Sequence, residues 1–196
     1  MSVLYRNHVQ AAVLQVVLTQ AGIPFMVHSG VKFFEQAHIK DLTAFLKVLY
    51  NPLDEIAWMR LLRMLPGIGN TTANRIFMVF REQQAVRLTQ ENETLQKLIP
   101  AKSREEWQTM TGCLRNLLRD DLTPSEMIGI VYRDFYREVM YSEFENAVIR
   151  ENDVQYLQEF SANYRSLEGF LNELSLVGSS IITDQEADDQ DQETLT

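Results

Sequence analysis

From residue 35 onward the apolar positions fall at helical spacing. Ile39, Leu42, Phe45, Leu46 and Leu49 share one face, and Asn51-Pro52 closes that helix. Ile56, Trp58, Leu61, Leu62 and Leu65 mark the next helix, over residues 53–64. Another is expected to start at a cap among Asn70, Thr71 and Thr72 and to run through Phe80 to about residue 86. Short and long helices follow at 94–99 and 103–118, the second opened by Ser103 and Glu106 as a capping box. Thr123 followed by Pro124 opens a helix to 140, residues 141–149 read as a connection, and 153–164 and 166–176 are the last helices. The first thirty residues read differently. Residues 2–5 and 23–27 suggest short strands around a helix at 9–20, whose apolar side is Val13, Val16, Val17 and Ala21 and whose C′ residue is Gly22. Strand, helix, strand is a β-α-β unit, and one such unit alone leaves an unpaired sheet edge. The fold class expected is therefore mainly α, preceded by a small β-α-β remnant.

The stretch Leu65-Pro66-Gly67-Ile68-Gly69-Asn70-Thr71 interrupts the helical pattern between two apolar runs. Pro66 and the glycines force a tight turn, so the flanking helices form a hairpin. Its second helix presents bare backbone N–H groups at the positive end of its dipole, which suits a phosphate oxygen. An ordinary connector fits the same residues, and a bare G-x-G does not separate the two. Arg60, Arg63, Arg75 and Arg81 lie in or beside the hairpin. The candidate duplex-contacting residues are Arg63, Gly67, Ile68, Gly69, Asn70, Thr71 and Arg75.

Charge changes this picture locally rather than globally. The 196 residues carry a net charge of −9. Residues 1–100 hold ten Lys and Arg against seven Asp and Glu, whereas residues 101–183 hold eight against fourteen. Residues 184–196 hold six acids and no base, the composition of a solvated, flexible tail. The single cysteine, Cys113, excludes a disulfide framework and fits a reducing, cytoplasmic setting. No apolar run reaches the length of a membrane span, so no membrane partner is expected. There is no G-x-x-x-x-G-K-[ST] loop, and His8, His28 and His38 are too scattered for a metal set and read as surface or hinge residues. No catalytic residues are expected. Phe33-Phe34 reads as a wedge between helices.

Taken in order, these stretches resemble one family. Val3-Leu4-Tyr5-Arg6-Asn7 with Gln10 is similar to its V-L-Y-R-x-N-x-Q. Ala21-Gly22-Ile23-Pro24-Phe25, then Gly30-Val31-Lys32-Phe33-Phe34-Glu35 and Ile39-Lys40-Asp41, resemble A-G-I-P-Y, G-G-x-x-F-F-E and I-K-D, with Ser29 in place of the first glycine. Asn51-Pro52-Leu53-Asp54 resembles N-P-x-D, and Pro66-Gly67-Ile68-Gly69 is a shortened form of P-x-R-G-I-G. Tyr164, Leu167, Phe170, Leu171 and Leu174 fit a closing Y-x-x-L-x-x-F-L-x-x-L. The family is that of superfamily 1A DNA helicases of the UvrD/Rep/PcrA group, resembled over residues 3–176.

The resemblance implies a piece of an ATP-dependent 3′-to-5′ DNA helicase. Residues 1–30 would be part of a RecA-like 2A motor domain, 31–178 a helical 2B-type domain with a helix–hairpin–helix-like motif, and 179–196 an acidic tail. Arg6 would lie near the motor cleft, without an assigned nucleotide contact. The segment itself needs no cofactor and is not expected to hydrolyse ATP; ATP and Mg2+ belong to the full-length parent. Its implied partners are duplex DNA, bound weakly and without sequence preference, the rest of the motor domains, and a regulatory protein. The rival reading is a helical protein–protein module that regulates a motor without touching DNA.

Overall fold

The computed structural model describes residues 3, 8–23, 25, 33–82, 93–119 and 121–179. Among them α1 (His8–Gln20) ends as expected at Gly22, whose φ is 65°. The Gly22 amide donates to the Thr19 carbonyl at 3.0 Å and the Ile23 amide to that of Leu18 at 2.9 Å, the paired bonds of a Schellman motif. No β-strand occurs among the described residues, and this overturns the expected β-α-β unit. Of its two strands only Val3, Ile23 and Phe25 are described, and none pairs in a ladder; the other strand positions lie outside the described residues. The physical reason is that a short apolar run becomes a strand only when a neighbour takes its hydrogen bonds. Val3 and Ile23 are instead half exposed.

α1 lies on the helical body, packed against α9 (Ala147–Ser161), α10 (Leu167–Ser179) and the 3-10 turn Phe33–Glu35. Val16 is buried, but Val13 and Val17 are exposed, so the seated face differs from the expected one. This helix is apolar around most of its circumference, so its own pattern does not select a face.

α2 (Ala37–Tyr50) is the central helix, with Ile39, Leu42, Phe45, Leu46 and Val48 all buried. The Phe33 and Phe34 rings sit at right angles beside its start, 4.9 Å apart, and meet Tyr156 and Phe160 of α9. They wedge helices together, as expected. α3 (Glu55–Arg63) and α4 (Asn70–Glu82) pack against this centre through Trp58, Leu61, Leu62, Ile76 and Phe80. The Trp58 indole N–H donates to the Pro52 carbonyl at 2.9 Å, which satisfies the one polar atom of a fully buried ring. α5 (Glu93–Leu98) and α6 (Arg104–Asn116) follow, and Met110, Cys113 and Leu114 of α6 enter the core.

α7 (Pro124–Val131) starts at Thr123 with the complete reciprocal capping box and Pro124 in its first turn. It runs without a break through a π-helical turn, Tyr132–Tyr136, into α8 (Arg137–Glu143). Tyr136 of that turn is fully buried, and its hydroxyl donates to Asp41 Oδ2 of α2 at 2.6 Å. The connection expected at 141–149 shrinks to residues 144–146, because α9 begins at Ala147. The helix thus starts six residues before the expected 153, and Arg150 and Asp153 within it find tertiary partners. His38 is one of them and is no surface residue: it is fully buried, with Nε2 3.1 Å from Asp153 Oδ2 and Nδ1 2.5 Å from Arg150 Nη1. Arginine offers no acceptor, so Nδ1 must accept and Nε2 carries the proton. The Arg150 guanidinium also lies 4.1 Å from the centre of the Phe144 ring.

Candidate nucleic-acid interface

The hairpin is built from both of its ends. Asp54 caps α3, its Oδ1 accepting from the Ala57 amide at 2.9 Å. At the other end the chain tightens, with Met64, Leu65 and Ile68 amides donating to Leu61, Leu62 and Leu65 carbonyls at 3.2 Å each. Leu65 and Ile68 are buried and pin the turn to the core. Pro66, Gly67, Gly69, Asn70 and Thr71 are left on the surface. Gly67 has a φ of 77°, the left-handed region that favours glycine. The Ala73 amide donates to the Gly69 carbonyl at 2.9 Å, so Gly69 itself occupies the cap position rather than Asn70, Thr71 or Thr72. The helix then leaves the first amides, from Asn70 onward, without a partner in its own ladder.

A second element meets this turn. The Ser103 hydroxyl, expected to cap α6, donates to the Pro66 carbonyl instead, and it makes no capping bond to its own helix. Ser103 is fully buried by that contact. Beside it Lys102 lies across the Gly67 face: a Cβ placed on Gly67 would come within 1.8 Å of Lys102 Cε. A Cβ on Gly69 would meet nothing within 4 Å, so that face of the turn is open.

The expected site residues divide accordingly. Gly67, Gly69, Asn70 and Thr71 are brought together on the exposed turn, with Arg63 and Arg75 exposed in the flanking helices. Ile68 turns its side chain into the core and offers only backbone. Arg60, considered as part of the basic set, is committed elsewhere, with Nη1 2.5 Å from Asp41 Oδ1. Arg81 is exposed and rests on the Met78 sulfur at 3.1 Å. Arg6 lies outside the described residues. Among the described residues no carboxylate stands within ion-pair distance of Arg63, Arg75 or Lys102. Lys102 was not among the expected residues. It is 35 positions from Gly67, and only the packing of one turn on another joins them.

Cys113 is buried, and that burial, reinforced by Asp134, pushes its thiol up to about 12. Among the described residues no group of three or more His, Cys, Asp or Glu side chains could hold a metal ion. No helix among them is long and apolar enough to cross a membrane.

A mainly helical body with a glycine hairpin agrees with the family relationship. The UvrD-like helicase C-terminal domain model matches residues 1–177, and the chain belongs to that family. It is 24% identical over 205 residues to the ATP-dependent DNA helicase PcrA of Bacillus subtilis, which covers 96% of this chain and 27% of that protein. PcrA of Staphylococcus epidermidis is 26% identical over 211 residues, covering all of this chain and 28% of that protein. ATP-dependent DNA helicase UvrD1 of Mycobacterium tuberculosis is 38% identical over a shorter reach of 86 residues, 43% of this chain and 11% of that protein. The chain thus spans less than a third of the length of these relatives.

Proposed function

We propose that this chain is a DNA-binding and regulatory part of an ATP-dependent 3′-to-5′ DNA helicase. Its hairpin at residues 65–75 holds the sugar-phosphate backbone of a duplex. The observation that carries the reading is the convergence of Lys102, from a separate helix start, onto the glycine turn that Arg63 and Arg75 flank. A phosphate oxygen at the open Gly69 face would take the unpartnered amides at the start of α4, while the three cations supply attraction around it. These are contacts to phosphate and not to base edges, so binding is independent of sequence and falls steeply with salt. The acidic second half of the chain keeps the affinity low. Residues 31–178 correspond in this reading to a 2B-type domain. ATP and Mg2+ serve the whole protein; this chain has no G-x-x-x-x-G-K-[ST] loop to hold them.

Fluorescence anisotropy of a labelled duplex, titrated with salt, tests the reading. Arg75→Ala and Lys102→Ala should each reduce the salt slope by about 0.9 for every duplex sequence. Gly69→Val is the steric variant of choice, since its side chain enters open space, whereas any substitution at Gly67 strains the backbone and displaces Lys102. It should weaken binding at unchanged slope. Folded variants that bind as the parent does would remove the hairpin from DNA contact.

A further inference from the structure

A second surface runs along the whole of α3, from Asp54 at its start to Arg63 and Met64 beside the hairpin, where an open cleft of about 910 Å³ lies between α3 and α8. We propose that this cleft docks a basic amphipathic helix of a partner protein. Its apolar lining is Met59, Met64, Val139 and Phe144, all half-buried, with Ile56 on the rim at 84% exposure. Tyr50 at the end of α2 and Leu53 in the turn before α3, outside the lining itself, are exposed apolar side chains as well. The charges around the lining are unequal. Asp41 and Arg60 neutralise each other, leaving Asp54, Glu55 and Glu143 against Arg63 alone. Such a surface repels a phosphate backbone and suits lysine or arginine beside an apolar stripe, the helix-in-groove mode of recognition.

Two locally unfavourable features converge here. An isoleucine stands almost wholly in water in the first turn of a helix that buries Ala57, Trp58, Leu61 and Leu62. A carboxylate, Glu143, ends α8, where the helix dipole disfavours negative charge and no basic residue offsets it. Neither improves the isolated fold, and both face one cleft. A bound helix would cover Ile56 and bring cations to Glu143 and Glu55, relieving both.

The test uses the full chain and a fluorescein-labelled peptide of leucine and lysine patterned at helical spacing, read by anisotropy at near-physiological ionic strength. The peptide should bind, and a leucine–glutamate peptide of the same pattern should not. Ile56→Ser and Glu143→Lys should each weaken binding roughly fivefold or more. Asp121→Lys makes the same charge change on the exposed turn before α7, outside the cleft lining, and should leave binding near the parent value. Circular dichroism confirms folding, and Glu143→Lys, favourable at a helix end, keeps the test open if Ile56→Ser does not fold. Failure of the peptide to bind would overturn the proposal. So would an equal loss with Asp121→Lys, equal binding of the acidic peptide, or a dimer seen by sedimentation that Ile56→Ser disperses, which would assign the cleft to a second copy of this chain.

Discussion

Asp41 joins three elements, and removing its carboxylate has a cost that can be worked out atom by atom. Its Oδ2 accepts from the Tyr136 hydroxyl at 2.6 Å and its Oδ1 from Arg60 at 2.5 Å. Tyr136 is fully buried; burial first and Asp41 second push its phenol well above the ordinary range. The Asp41 side chain is 14% exposed and that of Arg60 37%. Asp41→Ala strands a buried hydroxyl, at about 1–3 kcal/mol. It also frees Arg60, but water reaches that guanidinium, so the lost pair adds no more than about 0.5 kcal/mol. The single change should cost roughly 1–3.5 kcal/mol. Tyr136→Phe alone removes a bond to a charged acceptor, roughly 1.5 kcal/mol, and leaves the ion pair standing. Once Tyr136→Phe is present, Asp41→Ala no longer strands anything and should cost less than about 1 kcal/mol. Urea denaturation of the four proteins should therefore yield a coupling near ~1.5 kcal/mol, beyond the ~0.5 kcal/mol scatter expected of independent sites. Additive losses would refute the reasoning. They would mean that water already serves the Tyr136 hydroxyl and that Arg60 is freer for other work than its contact implies.

Cys113, with its thiol pushed up to about 12 by burial, should react with maleimide only as fast as the protein opens, so the labelling rate should rise with urea. A native rate equal to that of an exposed thiol would contradict the packing of α6. The raised thiol also makes stability fall above about pH 9, where the unfolded chain ionises and the folded one does not. At the acid end, the Thr123 amide and hydroxyl hold the Glu126 carboxyl below its ordinary value of 4.5. Stability from that contact is complete above 4.5 and is lost as pH falls through the lowered folded value. Glu126→Gln should flatten this part of the acid limb of stability against pH, and an unaltered limb would remove the capping box as its cause.

Much of the helical architecture was legible because it depends on local chemistry. The glycine that ends α1, Thr123 with Pro124 and Glu126, and the apolar face of α2 each act within a turn or two of chain. What was misread depends on distant partners. Ser103 and Glu106 have the spacing of a capping box, yet the serine hydroxyl goes to Pro66 because the turn of the hairpin lies against it. Residues 141–149 read as a connection, yet α9 begins at Ala147, and its Arg150 and Asp153 enclose His38 from 112 and 115 positions away. The expected strands failed for the same reason in reverse: apolar alternation at residues 2–5 and 23–27 implies a sheet, and no strand to pair with occurs among the described residues. Lys102 carries no local signal at all.

The basic character of the hairpin needs separating from ordinary helix electrostatics. α3 starts with Asp54 at its cap and Glu55 in its first turn, and ends with Arg60 and Arg63 in its last. That is the order the helix dipole prefers, negative at the start and positive at the end, so it would be selected for stability without any ligand. α4 breaks the rule. Its first turn holds no acid, where a stabilising sequence would place one, and Arg75 stands in its second turn. Lys102 is laid over Gly67 of the hairpin, although as an exposed lysine it is free to turn toward water. Cations gathered at a helix start raise the energy of the free protein and lower it once an anion arrives. Arg63 alone therefore says little about function, and the proposed backbone contact is tested more sharply at Arg75 and Lys102.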